Sequence, residues 1–313
     1  MKTVLIDGNN LMWRLAKQMP RLTTSSGDQV QLVYGIFRVL HGVLKDFEPD
    51  NMMVLWDSGF PVLRIQIYEG YKYKRHKERD AKKGDELEEF KQVMTQMEMI
   101  KDVLPYLSVC QYEVKGLEGD DLISLACQTL HGKKVVVSGD RDMLQLVSKK
   151  VSVYLPVGKR REYYTHKNFE EKIGLTPDQF LEVKILIGDS GDEVPGVARG
   201  FGKKSAIQLI KKYGSISALW DHENKAKIVK MGKRFRSLYD SGVKEAVERN
   251  RMLVDLGFFH SKIACLEIKE RIESNPKCDE LEVRRYFREH EFKSLLTNFH
   301  SWIVPFKFLG RKQ

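Results

Sequence analysis

The sequence predicts an α/β fold, a central and largely parallel sheet flanked by helices, and three observations carry that prediction. Several short runs are continuously apolar: Val4-Leu5-Ile6, Met52-Met53-Val54-Leu55-Trp56 and Val135-Val136-Val137. A strand with one wet face alternates apolar and polar residues, whereas a continuous run marks a strand covered on both faces, the habit of parallel sheets. Stretches of helical periodicity separate the runs, as strand–helix–strand units require. Asp7, Asp57 and Asp140 each stand just after one of these runs. In open parallel sheets, sites lie beyond the carboxyl ends of the strands, so the three acids are predicted to meet at one sheet edge.

In chain order, the strand Val4–Ile6 stops at Asp7-Gly8-Asn9-Asn10, and a helix-like stretch runs from Leu11 to Met19. Val30, Val33, Phe37, Leu40, Leu44 and Phe47 recur at helical spacing until Pro49-Asp50 breaks the helix. The next strand ends on Asp57-Ser58-Gly59. Residues 61–90 are polar and charged with a poor hydrophobic pattern, and residues 91–104 read as helix again. A strand over Val109–Val114 leads into Gly116-Leu117-Glu118-Gly119-Asp120-Asp121 and a helix to about Leu130. The strand at 135–137 ends on Ser138-Gly139-Asp140-Arg141-Asp142, and Val151–Leu155 makes a further strand. After about residue 178 the pattern is mostly helical, with helices at 180–187 and 203–213 and several more to about 299.

A length of 313 residues suggests two domains, or one large domain with an insertion. At 42% apolar and 31% charged the chain is globular rather than disordered. No apolar run approaches the roughly 20 residues of a membrane span, and an acid at position 7 comes too early for a signal peptide, so a cytoplasmic location is expected. Cys110, Cys127, Cys265 and Cys278 show no CxxC spacing and no accompanying histidine pair, which argues against a zinc site and fits reduced cysteines. The formal charge of +10 is unevenly placed, bases in a few stretches and acids in a few motifs. A basic surface around an acidic pocket suits a polyanionic substrate handled by metal.

Glu118, Asp120 and Asp121 crowd one helix start. One or two acids there complement the helix dipole. Three facing inward raise each other's pKa unless a cation sits among them. Asp7, Asp57, Asp140, Asp142, Asp189 and Asp192 complete the candidate set. Carboxylate oxygens without histidine or thiolate select hard cations such as magnesium or manganese. Two clusters of acids would hold two ions about 4 Å apart, the arrangement used for phosphodiester hydrolysis. There is no Ser-His-Asp spacing and no GxxxxGK[ST] phosphate loop.

The segment from Gly191 to Ala206 joins two helices. Gly196, Gly200 and Gly202 let backbone N–H groups approach a phosphate at the start of the next helix, with Lys203 and Lys204 adding charge and Ser205 a hydroxyl. The plainer alternative is a glycine-capped helix–helix turn. Glycines together with paired lysines favour contact to a DNA backbone, which is independent of sequence.

Taken together these pieces resemble the 5′ nuclease family, which includes flap endonucleases and the 5′–3′ exonuclease domains of bacterial DNA polymerase I, and most of all its stand-alone bacteriophage members. The matching pieces are Ile6-Asp7-Gly8-Asn9-Asn10-Leu11, Trp56-Asp57, Tyr71-Lys72 with Arg75, Gly119-Asp120-Asp121, Ser138-Gly139-Asp140-Arg141-Asp142, and Gly188-Asp189-Ser190-Gly191-Asp192 through Gly202-Lys203. They run in the family's order over roughly residues 1–260. The resemblance implies a PIN-like 5′ nuclease core over residues 1–180 with a helical arch at about 61–92, then a helix-three-turn-helix DNA-binding domain and C-terminal helices over 181–313. It assigns a first metal to Asp7, Asp57, Glu118 and Asp120 and a second to Asp140, Asp142 and Asp192, with Asp121 and Asp189 acting through water. It also implies a potassium ion held by backbone carbonyls of the 194–202 turn.

The basic stretch at 64–83 occupies the position of that arch, under which a single-stranded 5′ end passes. Lys72 and Arg75 then match the basic pair that grips the scissile phosphate. On a helix Lys72, Arg75 and Arg79 would share one face. Tyr71, with Tyr68 and Tyr73, is expected to stack on unpaired bases while Lys74 and its neighbours track phosphates. Arg14 is a weaker candidate for the same strand. The aromatic tail (Phe292, Leu295, Leu296, Phe299, Trp302, Phe306, Phe308) is expected to pack against the C-terminal domain.

The function implied is a magnesium-dependent, structure-selective 5′ nuclease, monomeric, acting on branched, nicked or RNA-primed DNA in the cytoplasm, that of a bacterial host if the gene is a phage's. Single-strand-binding protein or a replisome are the conceivable protein partners. Two rivals stand beside it. A PIN-type ribonuclease shares the acidic sheet edge but leaves the helix-three-turn-helix module without a purpose. A non-catalytic DNA-junction binder would not need the full set of acids.

Overall fold

Six strands form one sheet: β1 (Lys2–Asp7), β2 (Asn51–Trp56), β3 (Cys110–Glu113), β4 (Lys133–Val137), β5 (Val151–Val157) and β6 (Arg160–Tyr164). The computed structural model describes residues 1–157, 160–260 and 262–310. The spatial order is β3-β2-β1-β4-β5-β6; β1 to β5 run parallel, and β6 pairs antiparallel with β5. Strand β6 has no counterpart in the sequence reading, because Arg160-Arg161-Glu162-Tyr163-Tyr164 carries none of the apolar continuity of the buried strands. It lies at the sheet edge, where polar residues are tolerated.

The helices follow in order. Between β1 and β2 lie α1 (Gly8–Gln18) and α2 (Gln31–Phe47). Between β2 and β3 come α3 (Val62–Ile67), α4 (Tyr73–Asp80) and α5 (Gly84–Val103). Helix α6 (Gly119–Thr129) precedes β4. After the sheet come α7 (Phe169–Ile173), α8 (Pro177–Ile187), α9 (Lys203–Tyr213), α10 (Ile216–Leu219), α11 (His222–Val229), α12 (Lys233–Arg236), α13 (Val243–Val254), α14 (Lys262–Glu273), α15 (Glu280–Glu289), α16 (Lys293–Thr297) and α17 (Phe299–Ile303). Helix α5 begins well before the expected position 91, since Gly84 to Phe90 add about two solvated, largely exposed turns at its start.

Alternation along the strands explains both layers. Val4, Ile6, Met52, Val54, Trp56, Val135 and Val137 face one side of the sheet, where they pack with α1, α2 and α5. Leu5, Met53, Leu55 and Val136 face the other, against Leu122, Ile123, Leu125 and Ala126 of α6 and Ala264, Ile268 and Ile272 of α14. A third core belongs to α8–α13, built on Leu186, Leu209, Ile210, Leu219, Phe235 and Leu253. Inside it the fully buried Asn250 donates from Nδ2 to the carbonyls of Ile185 (3.0 Å) and Pro195 (2.8 Å), tying α13 to the turn after α8.

The aromatic tail is where the structure corrects the expectation. Phe287, Phe292, Phe299, Trp302 and Phe306 pack not on the helical unit but on the α2 face of the sheet, with Phe37 at their centre. Ring centroids lie 5.0 Å apart for Phe37–Phe287 and 6.0 Å for Phe37–Trp302. The reason is in α2, whose buried side (Ile36, Phe37, Leu40, Val43, Leu44) is wider than α1 and α5 can cover. Phe287→Ala should therefore cost about 3–5 kcal/mol in urea unfolding, as deletion of a core phenyl does. A loss under about 1 kcal/mol would show that the tail is a loose appendage.

Candidate active site

The carboxyl edge of the sheet is assembled by hydrogen bonds between strand ends. Asn9 Oδ1 accepts from the Asp57 N–H at 2.9 Å, and Asn10 Oδ1 accepts from the Gly139 N–H at 2.8 Å. The asparagines at the end of β1 thus hold the ends of β2 and β4 on either side of it. Asp7 caps α1, its Oδ1 accepting from the Asn10 N–H at 3.0 Å, while its Oδ2 accepts from the Ser138 hydroxyl at 2.7 Å. Asp57 Oδ1 accepts from the Gly119 N–H at 2.7 Å, drawing the start of α6 to the end of β2. A side chain at Gly119 would press on that carboxylate at 3.2 Å. Asp140 begins the 3₁₀ turn Arg141–Leu146, its Oδ1 accepting from the Asp142 N–H at 2.8 Å.

At the centre stand the buried Asp7, the half-buried Asp120 and the exposed Asp57, acids that no ion pair reaches among the described residues. Burial pushes Asp7 up to about 7, helped by repulsion from Asp57 and Asp140. Asp120 is raised well above the ordinary carboxylate range by burial and by Asp7, Asp140 and Asp57. Asp57 is also raised by burial, less so because the Gly119 N–H stabilises its charge.

The rim is different: its acids are held by cations. Burial alone would raise Glu118, but Lys72 and Arg64 outweigh it and keep the group below its usual range. Glu118 Oε1 pairs with Lys72 Nζ, and its Oε2 accepts from Tyr71 Oη and Arg64 Nη1, both at 2.8 Å. Asp192 Oδ2 lies 3.5 Å from Lys72 Nζ and accepts from Tyr71 Oη at 3.1 Å, and its Oδ1 lies 3.6 Å from Arg75 Nη2. Lys184 of α8 pairs with Asp142 and, at 2.7 Å, with Asp189. That ammonium holds Asp189 low against burial, whereas burial still pushes Asp142 up to about 7 despite it.

The predicted acids therefore share one edge, but they do not converge as a closed ligand set. Among the described residues no three carboxylates are close enough to hold a metal ion as placed. Side-chain ammonium and guanidinium groups occupy the rim carboxylates, and repulsion keeps the central ones apart. Asp121, 1% exposed, gives both oxygens to Arg64 at 2.7 Å each, which places it behind Glu118 rather than in the pocket. Asp189 closes the loop to Asp192: its Oδ1 accepts from the Gly191 N–H at 2.8 Å, and its backbone pairs with Val194. Gly188 makes that loop possible with a φ of +70°, at a spot where a Cβ would collide with the Val194 carbonyl.

Several sequence expectations are altered by this geometry. Tyr71 is only 3% exposed and points its hydroxyl at Glu118 and Asp192, so in this structure it orients acids instead of stacking on a base. Lys72 precedes α4 with a left-handed φ of 52°, so it shares no helix face with Arg79, whose guanidinium lies 4.9 Å over the Phe60 ring. Lys74 is exposed, its backbone N–H on Glu193 at 2.6 Å. Arg14 is half-buried beside Tyr154, and its burial lowers its pKa. In the turn, Gly196 packs 3.1 Å from the Ile187 carbonyl through the place a Cβ would take, so loop closure explains it. Gly200, Gly202, Lys203 and Lys204 do lie open at the start of α9, but Ser205 is buried and faces no ligand.

Sequence reasoning passed over Arg64, Lys184 and Ser138 as site residues. Arg64 was hidden among apolar neighbours in Val62-Leu63-Arg64-Ile65, and Lys184 inside the apolar α8. A lone cation within an apolar helical run was the available signal, because burial of such a group demands a partner.

The family comparisons match this architecture. Residues 2–174 match the family described as 5′–3′ exonuclease, N-terminal resolvase-like domain, and residues 175–258 match 5′–3′ exonuclease, C-terminal SAM fold. The chain belongs to the 5′–3′ exonuclease family. A 5′–3′ exonuclease of Aquifex aeolicus is 31% identical over 95% of this chain and 94% of that protein. DNA polymerase I of Bacillus subtilis is 33% identical over 77% of this chain, which spans only 27% of the polymerase. Among solved structures, a bacteriophage T5 flap endonuclease complexed with DNA and metal ions superposes with a TM-score of 0.68, at 19% identity, over 98% of this chain and 99% of that one. That likeness fixes the exonuclease-family fold. No helix among the described residues is long and apolar enough to cross a membrane.

The uncompensated centre of this exonuclease-family site leads to a stability prediction. Asp120→Asn removes one of the mutually repelling acids, so in chelator the variant should melt at a higher temperature than the parent and gain less on adding magnesium. For Asp7 the sign is set by its raised pKa: the folded state binds the extra proton, so metal-free stability should fall as pH rises from about 4 to about 7. Calorimetric melts across that range test both, and equal melting of parent and Asp120→Asn in chelator would refute the uncompensated centre.

Proposed function

We propose that this chain is a divalent-metal-dependent, structure-selective 5′ nuclease that hydrolyses DNA phosphodiesters near single-strand/duplex junctions. It would act as a 5′–3′ exonuclease and flap endonuclease and remove RNA primers from replicated DNA. One observation carries the reading: a cluster of oxygen acids at the strand ends, Asp7 buried among them, rimmed by Lys72, Arg75 and Lys184, in a chain of this family.

The donor set fits hard divalent cations. Every candidate ligand is a carboxylate, and the central ones repel each other in a buried place. We assign Asp7, Asp57, Glu118 and Asp120 to one magnesium ion and Asp140, Asp142 and Asp192 to a second. When bound, the ions supply Lewis-acid polarisation of the phosphoryl oxygens and a water of lowered pKa.

The chain's own residues do the rest. Lys72 and Arg75 now neutralise Glu118 and Asp192; with the acids on metal, both cations are released toward the scissile phosphate, where they oppose the charge that develops in the transition state. Tyr71 orients Glu118 and Asp192 relative to each other. The open start of α9, with Lys203 and Lys204 and free backbone N–H groups, suits the phosphates of the adjoining duplex. Carbonyls of the 194–202 turn are the proposed seat of a potassium ion there.

A labelled 5′-flap duplex incubated with protein and magnesium should be cut near the junction, and binding without cutting would end the nuclease reading. Asp140→Asn should abolish cleavage and leave DNA binding nearly unchanged. Lys72→Ala should slow single-turnover cleavage by about 10²–10³-fold with a far smaller change in duplex affinity. An equal loss in both would make Lys72 a binding residue only. Cleavage restricted to RNA would favour the ribonuclease alternative.

A further inference from the structure

We infer that Arg64 is a positioning residue that fixes the metal-facing carboxylate of Glu118 to the base of the arch segment and to α13. The inference rests on the nuclease reading above. Arg64 stands on α3 with 3% of its surface exposed. Its guanidinium faces three other elements of the fold at once. Nη1 and Nη2 grip Asp121 Oδ2 and Oδ1 at 2.7 Å each, and Nη1 also reaches Glu118 Oε2 at 2.8 Å. Nε donates to the Leu253 carbonyl, near the end of α13, at 3.1 Å. The Phe259 ring, 5.1 Å from Cζ, lies against it from the chain that leaves α13.

Asp121 passes the constraint on. Its Oδ2 accepts from the Glu118 N–H at 3.2 Å, so Glu118 is held by its backbone through Asp121 and by its side chain directly. Arg64 is the one described residue that touches Glu118, Asp121 and α13 together. Lys72 and Tyr71, which follow it on the same segment, end on the same Glu118. A planar fork is needed at Arg64; an ammonium carries the charge but cannot address three acceptors in fixed directions. Asp121 consequently serves as a strut between Arg64 and Glu118.

The test uses the full chain and has a readout independent of catalysis. Mn²⁺ binding without DNA is measured by titration calorimetry, single-turnover cleavage with a labelled 5′-flap duplex in magnesium, flap affinity in calcium, and stability by thermal melting. Arg64→Lys should lower Mn²⁺ affinity and turnover together by about 10–100-fold, as loss of a ligand-orienting partner does, with flap affinity little changed. Should Arg64→Lys fold poorly, the double variant Arg64→Met/Asp121→Leu replaces the ion pair by apolar groups and keeps the fold. It should melt near the wild type and still show the loss of Mn²⁺ affinity. Wild-type Mn²⁺ affinity and turnover in Arg64→Lys, or their return with stability in the double variant, would assign Arg64 a purely structural role and overturn the inference. A wild-type protein that never cuts the flap would instead sink the nuclease reading, and the Mn²⁺ titration would still decide the role of Arg64.

Discussion

Buried carboxylates repelling one another at the end of a parallel sheet are the constraint to which the rest of this molecule answers. A sheet with both faces covered brings its strand ends together at one edge, where Asp7 is buried and Asp57 and the half-buried Asp120 at the start of α6 stand beside it. Burial raises the cost of each charge, and proximity raises it again. The fold offsets part of that cost with backbone N–H donors, such as Gly119 on Asp57 and Asn10 on Asp7, and part with cations placed on the rim. What it leaves uncompensated is the centre, the part to which the proposed function assigns divalent ions.

The rim cations divide the labour by their origin. Arg64, Lys72 and Arg75 come from the 62–80 segment, and Lys184 comes from α8 in the helical unit. The 62–80 segment and the helical unit thus both reach the acids through positive side chains. Strong attraction holds the layers together, yet under the proposed function the same pairs would have to yield to metal and phosphate. Stability of the empty site and readiness of the loaded one are opposed, and the opposition is strongest at Glu118, which carries three partners.

Much of this was legible in the sequence because it follows from period and adjacency. Continuous apolar runs gave away the buried strands, and an acid following each run gave away the edge. Other features depend on which surfaces meet, and that is not local. Tyr71 sits in a basic, polar stretch, yet it is buried because α3 and the turn after α8 close over it. The aromatic tail reads equally well as a cover for any apolar face, and only the breadth of α2 decides which one it takes. Strand β6 is edge pairing without apolar signature, so nothing in its residues announces it. Arg64 and Lys184 are the instructive misses: each looks like an interruption of an apolar helix until its acidic partners, 54 and 57 residues after Arg64 and 42 before and 5 after Lys184, are placed beside it.

The helix start at Glu118–Asp121 shows how one motif can be divided by its surroundings into separate tasks. Asp120 faces the crowded centre and meets other acids; Asp121 faces inward and meets a guanidinium; Glu118 stands between them and meets both an ammonium and a guanidinium. Three acids within four positions are thus a repelled acid, a strut and an acid held by two cations. The division is made by the 62–80 segment, which sends Arg64 beneath the helix start and Lys72 to its rim. Removing that segment would leave three like charges in one buried turn. The 62–80 segment is on this account the counter-charge that lets the acidic motif fold with no metal bound.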